Sequence, residues 1–107
     1  MKENSKEILH KLSLVAHKVF PNQEGRAFLY GSRARGEARK DSDWDILVLT
    51  NEVTDTQEKY DRFVFPFAEI GWDVNEEIIP INYSEEEWES RKHTPLYKNV
   101  MKDAVLL

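Results

Sequence analysis

The sequence predicts a small α/β domain, because helical and strand-like hydrophobic patterns alternate along its 107 residues. A stripe of apolar residues with helical spacing occupies the first twenty positions. Two short apolar runs typical of buried strands follow, and the second ends at position 50. Further helical and strand-like patterns follow up to position 107. A chain of this length is long enough for one domain and too short for two. We therefore expect residues 1–107 to form a single domain.

The first predicted element is an amphipathic helix that ends before Pro21, since proline disfavours helical geometry in the residue before it. Its apolar residues recur at spacings of three and four and predict a buried stripe: Ile8, Leu12, Val15 and Val19. A short strand is predicted next over residues 27–30, because four apolar and aromatic residues end at a glycine, Gly31.

A polar loop or short helix over residues 33–42 leads to the clearest strand pattern, residues 44–50. A helical pattern begins near Asp55, and Pro66 should kink or end that helix. Residues 67–75 are ambiguous, because their apolar residues alternate as in a strand while they also continue the helical pattern. We interpret them as a frayed helix end followed by a turn.

The last third of the chain predicts one more strand and two helices. Residues 78–83 have a strand pattern, and Pro80 within it favours the edge of the sheet or a bulge. Ser84 and Glu87 have the spacing of a capping box, which predicts a helix start. Pro95 begins a final helix, which we expect to continue into the apolar residues 104–107.

The composition argues against several classes of function. Twenty acidic and fifteen basic residues give a net charge of −5, which is unlike proteins that bind nucleic acid through bulk positive charge. The chain has no cysteine, so it has no disulfide, cysteine zinc site or cysteine nucleophile. No apolar run approaches the roughly 20 residues of a membrane span, and residues 1–4 show no signal-peptide core. We expect a cytoplasmic protein without membrane contacts.

Two carboxylates at the start of the second strand are candidate metal ligands. Asp43 and Asp45 are separated by one residue, so strand geometry points both to the same face. Like charges held together repel unless a cation lies between them, and oxygen ligands favour Mg²⁺ or Mn²⁺. Taken alone, such a pair is more often a solvated strand end.

The turn before these carboxylates has the features of a phosphate-binding site. Gly31 allows a sharp turn after the first strand, and the Ser32 hydroxyl and the N–H groups of the turn can point to one spot. Arg33 and Arg35 lie in the same segment of an otherwise acidic chain, and we predict that they contact a nucleotide. A solubilising loop explains any single arginine equally well. Together, a phosphate site beside a metal site predicts phosphoryl or nucleotidyl transfer.

The order Gly31, Ser32, ten residues, then Asp43-x-Asp45 resembles the signature of minimal nucleotidyltransferases in the DNA polymerase beta superfamily. This resemblance implies a small mixed sheet with helices packed on one side. It also implies that Asp43 and Asp45 hold two Mg²⁺ ions, and that Ser32 and the Gly31 backbone hold the β- and γ-phosphates. Members of this superfamily transfer a nucleoside monophosphate from a nucleoside triphosphate to a hydroxyl group, and we expect ATP as the donor.

Active members carry a third carboxylate on a later strand, which completes the metal site and helps to activate the attacking hydroxyl. Here the position expected for that acid is Ile79. Glu77 lies two residues earlier and faces the same side of an extended strand, so it is our candidate for the third catalytic carboxylate. A missing third acid would leave nucleotide binding intact and impair transfer.

The resemblance also implies a partner protein. Many stand-alone minimal members are similar to antitoxins that bind a helical HEPN-domain toxin and in some cases adenylylate it. Because this chain has no room for the acceptor-binding domain of larger members, the acceptor would be presented by such a partner or across a homo-oligomer interface. Two alternatives stay open: a nucleotide-binding antitoxin or regulator without turnover, and an unrelated α/β protein whose charged residues form a surface network.

Overall fold

The computed structural model describes residues 5–107, so residues 1–4, where the sequence shows no signal-peptide core, lie outside the described part. Its elements, in chain order, are α1 (Ser5–Val19), β1 (Gly25–Tyr30), α2 (Ser32–Arg35), β2 (Trp44–Thr50), α3 (Gln57–Phe63), α4 (Phe65–Val74), β3 (Ile78–Ser84), α5 (Glu85–Ser90), α6 (Pro95–Asp103) and β4 (Val105–Leu106). Within residues 5–107, no helix combines the length and the apolar character needed to cross a membrane.

The strands form one mixed sheet in the order β3-β2-β1-β4. Strand β2 runs antiparallel to β1 and parallel to β3, and β4 runs antiparallel to β1. The predicted α/β class and mixed sheet are therefore confirmed. Pro80 lies in the edge strand β3, as its missing N–H group predicts.

The central strand β2 is buried on both faces. Its even-numbered residues, such as Ile46 and Val48, pack in a core with α1 and α4. Its odd-numbered residues Leu47 and Leu49 pack instead with Trp88 of α5 and with Val100 of α6. The helices α1, α3 and α4 thus pack on one side, as expected, and α5 and α6 also cover part of the opposite face.

Two details differ from the prediction. Residues 67–75 are not a frayed end: α4 continues to Val74 and ends at Asn75, which has a positive φ of 55°. Pro66 lies in the first turn of α4, where its missing N–H group costs no helical hydrogen bond. The helix is stable here because residues at helical spacing, Phe67, Gly71 and Val74, are buried against the rest of the core.

The chain end also differs. Residues 105–106 do not continue α6 but form β4, which pairs with Phe28 and Leu29 of β1. Pairing with the free edge of β1 satisfies unpaired backbone groups of that strand, so it stabilises these apolar residues more than another helical turn would.

The predicted capping box is present, because the Ser84 hydroxyl accepts a hydrogen bond from the Glu87 N–H at 3.1 Å.

Candidate active site

The turn after β1 lies directly against the carboxylate of Asp45. The register of β1 and β2 pairs Tyr30 with Asp45, and Gly31 follows with φ 79° and ψ −159°. A Cβ atom at Gly31 would lie 2.5 Å from Asp45 Oδ2, so only a residue without a side chain allows this approach. This backbone conformation is itself essentially restricted to glycine. Gly31 and Asp45, both predicted as site residues, are therefore in contact.

The short helix α2 begins with Ser32 immediately after that glycine. Gly31 is its N-cap residue, and its carbonyl accepts hydrogen bonds from the N–H groups of Ala34 and Arg35, both at 3.1 Å. The Ser32 hydroxyl makes no hydrogen bond to any of the residues 5–107. Because the first N–H groups of a helix have no partner within it, this turn presents donors beside the Asp45 carboxylate.

The two aspartates share the same end of β2. Burial, and then the negative charge of Asp43, raise the pKa of Asp45 above its ordinary value. Burial, Asp45 and Tyr83 raise the pKa of Tyr30 to about 12. Neither Asp43 nor Asp45 forms an ion pair with a lysine, arginine or histidine of the described chain. The carboxylate pair is therefore negative and lacks a protein counter-charge.

The carboxylate oxygens of this pair suit a hard cation whose remaining ligands come from water or a bound molecule. Within residues 5–107 no group of three or more histidine, cysteine, aspartate or glutamate residues could hold a metal ion. Mg²⁺ is commonly bound by only one or two carboxylates, with waters and substrate phosphates as its remaining ligands. The carboxylate oxygens of Asp43 and Asp45 therefore fit a hard divalent cation such as Mg²⁺.

The strand β3 presents an aliphatic residue where a third acid was expected. The register of the parallel pair places Ile79 beside Asp45, on the same face of the sheet, and Ile79 is 38% exposed. Glu77 lies just before β3 and is exposed. Its backbone carbonyl accepts a hydrogen bond from the Trp44 N–H at 2.9 Å. The structure does not gather Glu77 with Asp43 and Asp45 into a three-carboxylate group.

The two predicted arginines lie in different environments. The side chain of Arg33 is 8% exposed, and its guanidinium lies over the ring of Trp44, on the side of β2 opposite to Asp45. The side chain of Arg35 is 41% exposed and forms ion pairs with Glu37 at 3.1 Å and Asp103 at 2.6 Å. The hydrogen bonds that its guanidinium donates to Glu37 and then to Asp103 raise its pKa. Only Arg35 is accessible to a ligand from solvent.

Two residues near the site were not predicted. Tyr30 could have been found from the sequence, because it immediately precedes the glycine turn at the end of a predicted strand. Asp103, the partner of Arg35, is 68 residues away along the chain, and no local pattern indicates their contact. Its place depends on the docking of α6, which sequence periodicity does not specify.

Comparison with known proteins identifies the family of the chain. The profile of the nucleotidyltransferase domain family matches residues 9–107. No curated protein sequence is significantly similar to the chain.

Three solved structures have a similar fold. A minimal nucleotidyltransferase is 23% identical with a TM-score of 0.64, and the match covers 98% of this chain and 97% of that one. A toxin-antitoxin structure with AMP-PNP is 17% identical with a TM-score of 0.58, covering 97% and 72%. A nucleotidyltransferase from Sulfolobus solfataricus is 25% identical with a TM-score of 0.50, covering 98% and 87%. The chain, with its glycine-serine turn beside paired aspartates, belongs to the nucleotidyltransferase domain family.

Proposed function

We propose that this protein is a Mg²⁺-dependent nucleotidyltransferase that moves a nucleoside monophosphate from ATP to a hydroxyl group. The observation that supports this most directly is the approach of Gly31 to Asp45, since a Cβ atom at Gly31 would lie 2.5 Å from the carboxylate. That approach brings the donors of the turn to a carboxylate pair without a protein counter-charge. Such a site suits a triphosphate bound together with a divalent cation.

The predicted site residues other than Arg33 have direct roles in this proposal. Asp43 and Asp45 hold Mg²⁺ or Mn²⁺, and a bound divalent ion neutralises negative charge on the triphosphate. The Ser32 hydroxyl and the Gly31 backbone hold the β- and γ-phosphates. Arg35 supplies positive charge from the solvent side, where its guanidinium is accessible.

The proposed reaction is a single displacement at the α-phosphorus. The acceptor oxygen forms a bond to this phosphorus, and the bond between the phosphorus and the bridging oxygen of pyrophosphate breaks. The proton of the acceptor hydroxyl passes to a carboxylate, and Glu77 is our candidate for this base. The products are the nucleotidylated acceptor and pyrophosphate, and the activity belongs in the cytoplasm, where nucleoside triphosphates are abundant.

We propose that the acceptor hydroxyl belongs to a partner protein. One solved structure of similar fold is a toxin-antitoxin structure with AMP-PNP, which supports both a partner and a nucleotide for this chain. A helical HEPN-domain toxin is the partner we expect. A second copy of the chain is the alternative, and the mass of the complex in solution distinguishes the two.

A second candidate function is nucleotide binding without turnover, as in an antitoxin or regulator that acts by protein binding. The observation that favours it is Ile79, which lies beside Asp45 where active members carry an acid. In this case the site binds Mg²⁺ and ATP and releases no pyrophosphate.

Titration calorimetry with ATP, CTP, GTP and UTP in the presence of Mg²⁺ tests the proposal. We expect binding that requires the metal, that is abolished in Asp43→Asn, and that is retained in the matched variant Asp41→Asn. Asp41 is an exposed acid of the same loop, so its variant controls for the loss of one charge. Equal binding by Asp43→Asn and the natural chain would refute the assigned site.

A further inference from the structure

The buried guanidinium of Arg33 contacts the loop that precedes β2. Its Nη2 atom donates a hydrogen bond to the carbonyl of Ser42 at 2.8 Å and a longer one to the carbonyl of Lys40 at 3.4 Å. The guanidinium carbon lies 4.7 Å from the ring centroid of Trp44. A carboxylate oxygen of Glu76 lies 3.9 Å from the Arg33 Nη2 atom. Arg33 is therefore held on several sides by protein groups.

These contacts lie on both sides of Asp43 along the chain. Ser42 and Trp44 are its direct neighbours in sequence, and both contact Arg33. Residues 37–43 form neither a helix nor a strand. The hydrogen bonds of Ser42 are local. Its N–H donates to the Arg39 carbonyl at 3.0 Å, and its hydroxyl accepts from the Arg39 N–H at 2.8 Å. Arg33 connects this local turn to α2.

Arginine is better suited to this position than lysine. A planar guanidinium can stack on an indole ring while it donates hydrogen bonds, whereas an ammonium group is a compact point charge. Burying a cation costs free energy unless its partners compensate, so the burial of an arginine does not by itself indicate that the arginine stabilises the fold. A role in holding the loop explains why the charge is kept inside.

We propose that Arg33 is a positioning residue for Asp43. By fixing the carbonyls of Lys40 and Ser42, it holds the backbone so that the Asp43 carboxylate stays beside Asp45. It does not contact the phosphates, because its guanidinium lies on the opposite side of β2. This inference rests on the proposed function, since it takes Asp43 as a ligand of the divalent cation.

Three variants test the role: Arg33→Met, Arg33→Lys and, as a matched control, Arg39→Met. Arg39 is an exposed arginine of the same loop. The first readout is the affinity for Mn²⁺, measured with and without ATP from the electron paramagnetic resonance of the free ion, well below each unfolding temperature. The second is amide hydrogen exchange of residues 39–44 without ligand.

We expect Arg33→Met to weaken Mn²⁺ binding about 10- to 100-fold, the range seen when groups that orient metal ligands are removed. Exchange at the Ser42 amide should become faster. Arg33→Lys should restore part of both properties, because its ammonium group can still reach one carbonyl, and Arg39→Met should match the natural chain. If Arg33→Met does not fold, the lysine variant provides the same comparison.

Three results would overturn the inference. Unchanged Mn²⁺ affinity with a loss of ATP affinity greater than the loss of AMP affinity would make Arg33 a phosphate ligand. A lower unfolding temperature with unchanged Mn²⁺ affinity would make it purely structural, and unchanged exchange would show that it does not hold the loop. Failure of the proposed function gives a different result, because then the natural chain itself binds neither Mn²⁺ nor Mn²⁺ with ATP.

Discussion

Strand β2 holds Asp45 between two neighbouring strands, and the two sides of this carboxylate differ. On the β1 side, Gly31 turns directly against the carboxylate, and the Ser32 hydroxyl has no hydrogen-bond partner within residues 5–107. On the β3 side, the residue in register is Ile79, and Glu77 comes before the strand begins. In our proposal the β1 side binds the nucleotide and the β3 side activates the acceptor. The two functions therefore depend on different strands and can be lost separately.

The largest predicted effect concerns the β3 side. If Glu77 accepts the proton of the attacking hydroxyl, Glu77→Gln should lower the rate of transfer by about 100-fold or more. The affinity for Mg²⁺ with ATP should stay close to that of the natural chain, because the β1 side is untouched. Pyrophosphate release from ATP, with a tyrosine peptide or glycerol as the acceptor, measures the rate, and calorimetry measures the affinity.

The control for this variant is Asp73→Asn, which removes one charge from an exposed acid of α4. Its transfer rate should equal that of the natural chain. Transfer by Glu77→Gln at the natural rate would exclude Glu77 as the base. Absence of transfer in every form, together with normal nucleotide binding, would favour the non-catalytic alternative.

The β1 side is tested by Gly31→Ala. The added Cβ atom would lie 2.5 Å from Asp45 Oδ2, so the carboxylate must move, and Mg²⁺-ATP binding should weaken about 10- to 100-fold. Stability should fall as well, by about 1–3 kcal/mol, because this backbone conformation is essentially restricted to glycine. Calorimetry well below the unfolding temperature separates the two effects.

Gly36→Ala is the matched control for this experiment. Gly36 also has a positive φ, 73°, but a Cβ atom there would meet nothing within 4 Å. The control should lose some stability and keep its affinity for the nucleotide. Equal loss of affinity in both variants would mean that the approach of Gly31 to Asp45 has no role in binding.

The sequence was sufficient to predict the elements whose local signals are strong. The extended apolar run of β2, the capping box at Ser84 and the edge position of Pro80 each depend on neighbouring residues, and all three are confirmed. Residues 67–75 and 105–106 were mispredicted, because their conformations depend on tertiary partners. Val74 is buried in the main core, and Leu106 pairs with β1.

The same distinction applies to the candidate site. The motif predicted a phosphate site beside a metal site, and the pairing of β1 with β2 brings Gly31 into contact with Asp45. The burial of Arg33 did not follow, because the sequence does not specify which arginine of α2 packs on Trp44. The resemblance placed Ile79 at the position expected for a third acid, and the β2–β3 register puts Ile79 beside Asp45.

The carboxylate pair also predicts a pH dependence of stability. Burial and the charge of Asp43 raise the pKa of Asp45, so ionisation of Asp45 disfavours the folded state. The stability from this group is present at low pH and is lost as the pH rises through the raised pKa. Asp45→Asn should therefore raise the unfolding temperature at pH 7, by an amount that solvent screening of this partly exposed carboxylate keeps small.

This gain should shrink below about pH 4, where aspartate is protonated in both states. Thermal unfolding from pH 3 to pH 8 without divalent cations measures it. The matched variant Asp41→Asn, at an exposed position of the loop, should show no such trend. A destabilised Asp45→Asn at pH 7 would mean that the carboxylate has a stabilising partner and that the pair is not poised to bind a cation.

The smallest predicted effect concerns Arg35, which Asp103 contacts at 2.6 Å. Asp103→Asn removes a negative charge near the β1 side and one of the two ion pairs of Arg35, so the affinity for Mg²⁺-ATP should rise about twofold. Stability should fall only modestly, because the Arg35 side chain is 41% exposed, although that of Asp103 is 11% exposed. Glu89→Gln, which breaks the exposed pair with Lys92, is the control and should leave the affinity unchanged. Because the effect is electrostatic, it should vanish near 1 M salt, where the Debye length is about 3 Å. A lower affinity in Asp103→Asn would instead mean that Asp103 holds Arg35 in the orientation that the nucleotide requires.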